Sequence, residues 1–131
     1  MESKMIWANL VSQDLQKTIQ FYTSLGFHQN GKETNELVSL YFGENKFVIN
    51  FFTPQRFERA LNGKITDTTT SNEIIFSLSA GSKEEVDAWY EKVKKIGGTV
   101  FSEPEAFEVG YTFGFADPDG HKFNFLYWPG M

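Results

Sequence analysis

The chain contains no cysteine among its 131 residues. A disulfide framework and a thiolate metal site are therefore excluded, and an intracellular location is expected. No stretch reaches the roughly 18 apolar residues that a membrane-spanning helix needs. The first nine residues also lack the basic start and long apolar run of a secretory leader. We expect a cytoplasmic protein with no membrane partner.

Basic residues are also in the minority, with 12 Lys plus Arg against 17 Asp plus Glu and a net charge of −5 at pH 7. Such a chain repels a phosphate backbone, so no nucleic-acid partner is expected. Gly-rich phosphate loops, nucleophile elbows and HExxH runs are absent from the sequence. Aromatic residues are abundant, at 17% of the chain, and 14 of them are Phe. This aromatic content predicts large contact areas in a core or a pocket.

The first 53 residues have the pattern of a βαβββ unit. The apolar run at residues 5–11 predicts a strand, and Asp14 supplies a side-chain oxygen suited to a helix start. Leu15, Ile19 and Tyr22 follow at helical spacing. Three further strand-like segments then complete the unit, at residues 27–31, 36–42 and 46–53.

The second half of the chain repeats this pattern after a linker. Residues 54–72 combine a short helical stretch with a polar tract, which is typical of a connection. Residues 73–131 then give a strand at 73–80, a capping box that begins at Ser82, a helix and three strands. Strands near residues 99–102, 111–116 and 122–128 are expected.

The repeat is visible in the residues themselves, since Phe21-Tyr22 and Trp89-Tyr90 hold the same helical position 68 residues apart. An α+β fold of two tandem modules follows. Neither half buries its sheet alone, so the two sheets complete each other within one chain or by pairing between chains. We predict a homodimer.

Three phrases in this order resemble the vicinal oxygen chelate superfamily, which contains glyoxalases, bleomycin-resistance proteins and extradiol dioxygenases. They are NLVSQDL at residues 9–15, FYTSLGF at 21–27 and DPDGH at 117–121. The resemblance covers almost the whole chain and is nearest to proteins described as predicted lactoylglutathione lyases. It implies a curved, mixed eight-stranded sheet built from two βαβββ modules, the glyoxalase-like fold.

In the metal-dependent members, the resemblance implies that each module supplies His, Glu or Gln ligands from its first and last strands. The matching positions here are Trp7, Ile49 or Val48, Glu73 and Asn124. Only Glu73 is a strong donor for a divalent cation. We therefore predict no bound metal and no cofactor.

Strand alternation places one set of residues on the inner face of the sheets. These predicted ligand-binding residues are Trp7, Asn9, Ile49, Phe51, Glu73, Ile75, Asn124, Leu126 and Trp128. An apolar surface with a few polar groups is typical of a ligand pocket, and also of a filled sheet core. Glu73 is a candidate catalytic acid or base if it lies inside the sheet, and a solvated strand-end residue if it does not.

The leading hypothesis is a metal-independent small-molecule-binding protein, akin to the antibiotic-sequestering members, with a flat aromatic or apolar ligand. The alternative is a glyoxalase-like lyase or isomerase that uses Glu73 or an atypical divalent metal centre. A third possibility is a partner-binding scaffold without a pocket. His28 and His121 flank turns, where exposed residues are usual, and we do not expect either to be catalytic.

Overall fold

The computed structural model describes residues 1–130, which form two compact units, the first ending at Thr66 and the second beginning at Asp67. The elements of the first unit are β1 (Ala8–Val11), α1 (Leu15–Ser24), β2 (His28–Gln29), β3 (Leu37–Phe42), β4 (Phe47–Phe52) and α2 (Pro54–Leu61). Those of the second unit are β5 (Ile75–Ser79), α3 (Lys83–Lys95), β6 (Thr99–Phe107), β7 (Gly110–Ala116) and β8 (Lys122–Tyr127). This order confirms the α+β class and the two βαβββ modules.

Each unit contains one four-stranded mixed sheet, with the strand orders β1-β4-β3-β2 and β5-β8-β7-β6. In both sheets the first strand runs parallel to the last, and the other neighbours are antiparallel. A parallel pair needs a crossover connection, which α1 and α3 provide. None of the helices between residues 1 and 130 has the length and apolar character needed to cross a membrane.

Both long helices begin at side-chain caps. Asp14 Oδ1 accepts a hydrogen bond from the Lys17 amide at 3.2 Å, and Ser82 Oγ accepts one from the Glu85 amide at 3.1 Å. The capping box predicted at Ser82 differs by one residue from the usual pattern. The Glu85 carboxylate accepts a hydrogen bond from the amide of Gly81, where the usual pattern has the amide of Ser82. These caps fix where each helix starts over its sheet.

The core of the first unit lies between α1 and one face of its sheet. Tyr22 of α1 is fully buried, and its ring centroid lies 5.3 Å from those of both Phe42 and Phe51. Ile49 is 1% exposed and lies on the same face, since alternate residues of a strand share a face. The side of β4 that carries Ile49 and Phe51 is therefore covered by the helix.

The core of the second unit is a stack of aromatic rings under α3. Trp89 lies 4.2 Å from Phe125 between ring centroids, with the planes 12° apart. Phe113, Phe115 and Phe123 are buried around this pair. Offset ring stacking of this kind adds about 0.5–1.5 kcal/mol per pair beyond the buried area.

The turn between β7 and β8 is fastened to the segment that precedes β5. The Thr68 hydroxyl donates to the Asp119 carbonyl at 2.5 Å, and the Asn72 side-chain amide donates to the Gly120 carbonyl at 3.0 Å. Gly120 has a φ of 87° and packs so closely on Thr68 that an added Cβ would lie 2.4 Å from the Thr68 carbonyl oxygen. The polar tract at this point is an ordered part of the second unit.

Candidate functional site

Each sheet has a face opposite its long helix, which we call its open face. The residues that alternation and register place on the first open face are Asn9, Val11, Leu37, Ser39, Tyr41, Val48, Asn50 and Phe52. Those on the second open face are Ile75, Ser77, Ser79, Thr112, Gly114, Lys122, Asn124 and Leu126. Each open face mixes apolar and polar side chains, as ligand-binding surfaces do.

Two of the predicted inner-face residues lie on the wrong side of the first sheet. Ile49 and Phe51 belong to the core under α1, so their predicted facing is wrong, and their neighbours on β4 hold the open face instead. The reason is turn length. The turn between the last two strands has four residues in the first unit (43–46) and five in the second (117–121). Aligning the two halves without allowing for the extra residue assigns the side chains of β4 to the opposite face of the sheet.

Asn9 lies on the first open face, as predicted, opposite Asn50 of β4. The Asn50 side-chain amide donates to Asn9 Oδ1 at 3.3 Å. On the other side of β4, Ser39 of β3 lies opposite Asn50. The Asn30 side-chain amide donates to Ser39 Oγ at 3.0 Å. We call these four residues the amide row. Sequence reasoning found only Asn9, although correct alternation on β4 would have found Asn50.

Trp7 and Trp128 lie just outside the strands to which they were assigned. Trp7 precedes β1 and is 51% exposed. Trp128 follows β8, with its ring centroid 6.1 Å from that of Phe107. As ligand-binding residues both remain predictions.

On the second open face, Asn124 lies between Ser77 of β5 and Gly114 of β7 in the register. Ile75 and Leu126 share this face, as alternation predicted. The side-chain oxygen Oδ1 of Asn124 is buried and accepts no hydrogen bond from residues 1–130. A buried acceptor without a donor costs about 1–3 kcal/mol, so this atom calls for an explanation.

Phe101 of β6 covers the middle of the second open face. A Cβ added to Gly114 would lie 2.4 Å from Phe101 Cζ, so the ring rests directly on the glycine. Lys122 Nζ lies 4.7 Å from the centroid of the same ring. The sequence did not indicate Phe101, because register shifts on both sides of Ser102 interrupt the alternation of β6.

Glu73 is exposed and precedes β5 by two residues. It lines a shallow, open depression together with the neighbouring residues 70–75 and Lys122. Of the two placements that the sequence left open, the structure shows the solvated one.

The four positions that the resemblance matches to metal ligands do not fit a divalent cation. In the first unit they are the indole of Trp7 and the aliphatic side chain of Val48, because Ile49 points to the helix side. In the second unit they are the exposed carboxylate of Glu73 and the amide of Asn124. One carboxylate without an organised set of oxygen or nitrogen donors does not displace the hydration shell of a hard cation.

Residues 1–130 contain one group of three potential metal ligands. It consists of Asp117, Asp119 and His121, whose ligand atoms lie within 4.8 Å of one another. Asp117 Oδ1 accepts hydrogen bonds from the backbone amides of Asp119 and His121, both at 2.9 Å. His121 is 5% exposed, so the expectation of an exposed histidine is wrong. These hydrogen bonds connect residues within the turn between β7 and β8, so the three side chains are part of that turn.

Two tyrosine hydroxyls tie α3 to its sheet. Tyr111 donates to Asp87 Oδ1 at 2.8 Å, and this hydrogen bond to a carboxylate raises the pKa of Tyr111 above its ordinary value of 10.0. A hydrogen bond to Glu103 likewise raises the pKa of Tyr90. Both hydrogen bonds lie on the helix side of the second sheet and favour the protonated form of the tyrosine.

Comparison with known proteins agrees with this architecture. A solved hypothetical protein from S. aureus is 34% identical, with a TM-score of 0.85 over 98% of this chain and 96% of that chain. A glyoxalase-related enzyme from Fulvimarina pelagi is 19% identical, with a TM-score of 0.82 over 97% and 90% of the two chains. A lactoylglutathione lyase from Agrobacterium tumefaciens is 20% identical, with a TM-score of 0.73 over 100% of both. The last two share the fold.

No curated protein matches the sequence significantly. The model of the Glyoxalase/Bleomycin resistance protein/Dioxygenase superfamily matches residues 4–125, nearly the whole chain. With the duplicated βαβββ topology, this match shows that the chain belongs to the glyoxalase, bleomycin-resistance and dioxygenase superfamily.

Proposed function

We propose that the chain is a metal-independent small-molecule-binding protein that holds a planar aromatic or apolar ligand on the second open face. The observation that carries this proposal is the buried Oδ1 atom of Asn124, which accepts no hydrogen bond within residues 1–130. An N–H or O–H group of a ligand would satisfy this atom. The free protein therefore bears a cost that ligand binding removes.

The surroundings of Asn124 favour a flat ligand. Phe101 lies over Gly114, the cross-strand neighbour of Asn124, and Leu126 continues the apolar surface along β8. Because Asn124 Oδ1 is buried, a ligand ring reaches it by displacing the Phe101 ring from this face, and its own ring then replaces the contacts that Phe101 made. Lys122 lies over the Phe101 ring and adds one cation to this surface. A mostly apolar wall with few orienting polar groups is the usual composition of a ligand site.

Metal independence rests on the donor set, in which Trp7, Val48 and Asn124 stand where the family uses His, Glu or Gln. We expect Mn²⁺ or Zn²⁺ at a few equivalents to leave the thermal unfolding midpoint unchanged, because no organised site gains free energy from the ion. Metal analysis of protein purified without chelator checks the same point. A stoichiometric divalent ion together with a metal-dependent midpoint would contradict this part of the proposal.

The decisive variant is Asn124→Leu, which removes the orphan acceptor and retains much of the side-chain volume. We expect it to raise the free energy of unfolding of the ligand-free protein by about 1 kcal/mol or more. It should at the same time abolish the stabilisation given by aromatic compounds that raise the midpoint of the wild type. These opposite signs separate a binding site from a filled core.

Asn45→Leu is the matched control, since it makes the same chemical change in the exposed turn between β3 and β4. It should leave ligand-induced stabilisation intact. A library of aromatic compounds that never shifts the wild-type midpoint, or shifts it equally in Asn124→Leu, would refute the proposal.

The alternative is a lyase or isomerase that uses Glu73 as an acid or base. Its support is the position of Glu73 beside Lys122 in an open depression of the second unit. Its weakness is exposure, because a solvated carboxylate lacks the environment that tunes a catalytic acid or base. Loss of a measured turnover in Glu73→Gln, with binding retained, would establish this function in place of the first.

A further inference from the structure

We propose that Asn62 is a site of spontaneous deamidation and that Asn30, the other candidate in the chain, is protected by the fold. The sequence contains two Asn-Gly pairs, each followed by lysine, at residues 30–32 and 62–64. Asparagine is thermolabile in such pairs, because glycine has no side chain to hinder the backbone nitrogen that attacks it. The two pairs share their reacting atoms and the residue that follows, so a difference between them in the folded chain reports a difference in structure.

The reaction needs water as its only co-reactant. The Gly63 backbone nitrogen, after losing its proton to the solvent, bonds to Cγ of Asn62 and closes a five-membered succinimide ring. The bond from Cγ to Nδ2 breaks, and Nδ2 takes up a proton and leaves as ammonia. Water then cleaves one of the two ring C–N bonds, its hydroxyl going to the carbon and its proton to the nitrogen, which gives an aspartyl or an isoaspartyl residue at position 62. The product places a carboxylate at the negative end of the α2 dipole and so weakens the last turn of that helix.

The surroundings of Asn62 offer this reaction little resistance. Asn62 is exposed and caps the C-terminal end of α2 in the left-handed conformation, with a φ of 54° and a ψ of 48°. Within residues 1–130 its carboxamide makes no hydrogen bond. The amide of Gly63 donates to the Glu58 carbonyl at 3.3 Å, beyond the usual range, and shares this acceptor with the amide of Asn62. Since α2 contains no buried residue, its last turn opens at little cost and lets the Gly63 nitrogen reach Cγ.

Asn30 belongs to the amide row and is held by Ser39 of β3. Its backbone amide donates to the Ser39 carbonyl at 2.8 Å, and its side-chain amide donates to Ser39 Oγ at 3.0 Å. The side-chain bond must break before Cγ turns towards the Gly31 nitrogen, and the backbone bond limits the rotation that the attack requires. Breaking even one such bond lowers the reactive fraction roughly fivefold, so Asn30 should react at least roughly fivefold more slowly than Asn62 in the folded protein.

Two substitutions separate the chemistry from the fold. A Cβ added at Gly63 meets Leu61 Cγ at 3.8 Å, an ordinary contact, and the φ of Gly63 lies outside the left-handed region. Gly63→Ala should therefore keep the wild-type unfolding midpoint, while its methyl group hinders the nitrogen and suppresses conversion at Asn62. Ser39→Ala removes the side-chain acceptor of Asn30 and should raise conversion there roughly fivefold.

The test is to age the folded chain in mildly alkaline buffer and to map its tryptic peptides by mass spectrometry against an unaged sample. Trypsin places the two pairs in separate peptides, residues 18–32 and 60–64. We expect the mass gain of an amide-to-acid conversion to accumulate in peptide 60–64 at least roughly fivefold faster than in peptide 18–32. A protein isoaspartyl methyltransferase should label peptide 60–64 in the same proportion.

Ageing in guanidinium chloride is the matched control. The two rates should converge there, because the unfolded pairs no longer differ in their hydrogen bonds. Conversion at Asn30 that equals or exceeds conversion at Asn62 in the folded chain would overturn the inference. A preference for Asn62 that persists undiminished in denaturant, or conversion at Asn62 that continues at the wild-type rate in Gly63→Ala, would overturn it as well.

Discussion

The fastening between the β7–β8 turn and the segment before β5 gives the sharpest prediction of stability. Gly120→Ala imposes a left-handed conformation on a residue with a Cβ, which costs about 1–2 kcal/mol at the observed φ of 87°. The new Cβ would also lie 2.4 Å from the Thr68 carbonyl oxygen, so the backbone must separate there. The hydrogen bonds from Thr68 and Asn72 to this turn are then lost, at about 1 kcal/mol each.

We expect Gly120→Ala to lower the free energy of unfolding by about 3–4 kcal/mol in urea denaturation followed by circular dichroism. Gly97→Ala is the matched control in the same unit. Gly97 has a similar φ of 77°, yet an added Cβ there meets nothing within 4 Å. It should therefore show only the conformational cost of about 1–2 kcal/mol.

The difference between the two variants measures the fastening itself. Limited proteolysis should show faster cleavage within residues 67–72 in Gly120→Ala and not in Gly97→Ala, because only the first variant releases that segment. Equal destabilisation of the two variants, with unchanged cleavage, would refute the reasoning that the turn holds the segment in place.

Three further predictions concern the helices. Thr18→Val should cost about 1–3 kcal/mol in urea denaturation, because it leaves the buried hydroxyl of Ser12 without its 2.6 Å partner, and adding Ser12→Ala should restore much of the loss. Trp89→Ala should cost about 3 kcal/mol by removing the indole stacked on the second core, and near-ultraviolet circular dichroism should weaken with it; a loss below 1 kcal/mol would contradict the stack. Asp87→Asn should move the pKa of Tyr111 back towards 10.0 in a spectrophotometric titration. Since the folded-state pKa of Tyr111 is raised, its contribution to stability is complete below pH 10 and is lost as the pH rises through the folded value, a loss that Asp87→Asn should abolish.

The elements of the fold were predictable because local signals agreed with the final topology. Asp14 and Ser82 each mark a helix start that the structure confirms. Aromatic positions at helical spacing identified the buried sides of both helices, including Tyr22 and Trp89. Strand ends were less accurate, and β6 continues to Phe107, five residues beyond its predicted end.

The candidate sites were only partly predictable, because alternation requires the correct register. One extra residue in the second turn reversed the facing assigned to Ile49 and Phe51, and thereby hid Asn50. Whether Asn124 Oδ1 receives a hydrogen bond depends on three-dimensional packing, and no sequence pattern predicts that it receives none within residues 1–130. Phe101 lies over the centre of the second open face. Strand alternation does not predict this position, because register shifts interrupt the pairing of β6 with β7.

The two-sided construction of each sheet has a practical consequence. On β4 and β8 the residues that hold the helix alternate with those that form the open face, so neighbouring positions serve separate purposes. Substitutions on the open faces should therefore leave the packing under α1 and α3 intact. A library randomised at Ser39, Asn50, Ser77 and Asn124 would change both open faces while every aromatic position under α1 and α3 stays fixed. The chain thus has two sheet faces whose residues can be changed separately from its aromatic cores, and it contains no cysteine that would complicate such variants.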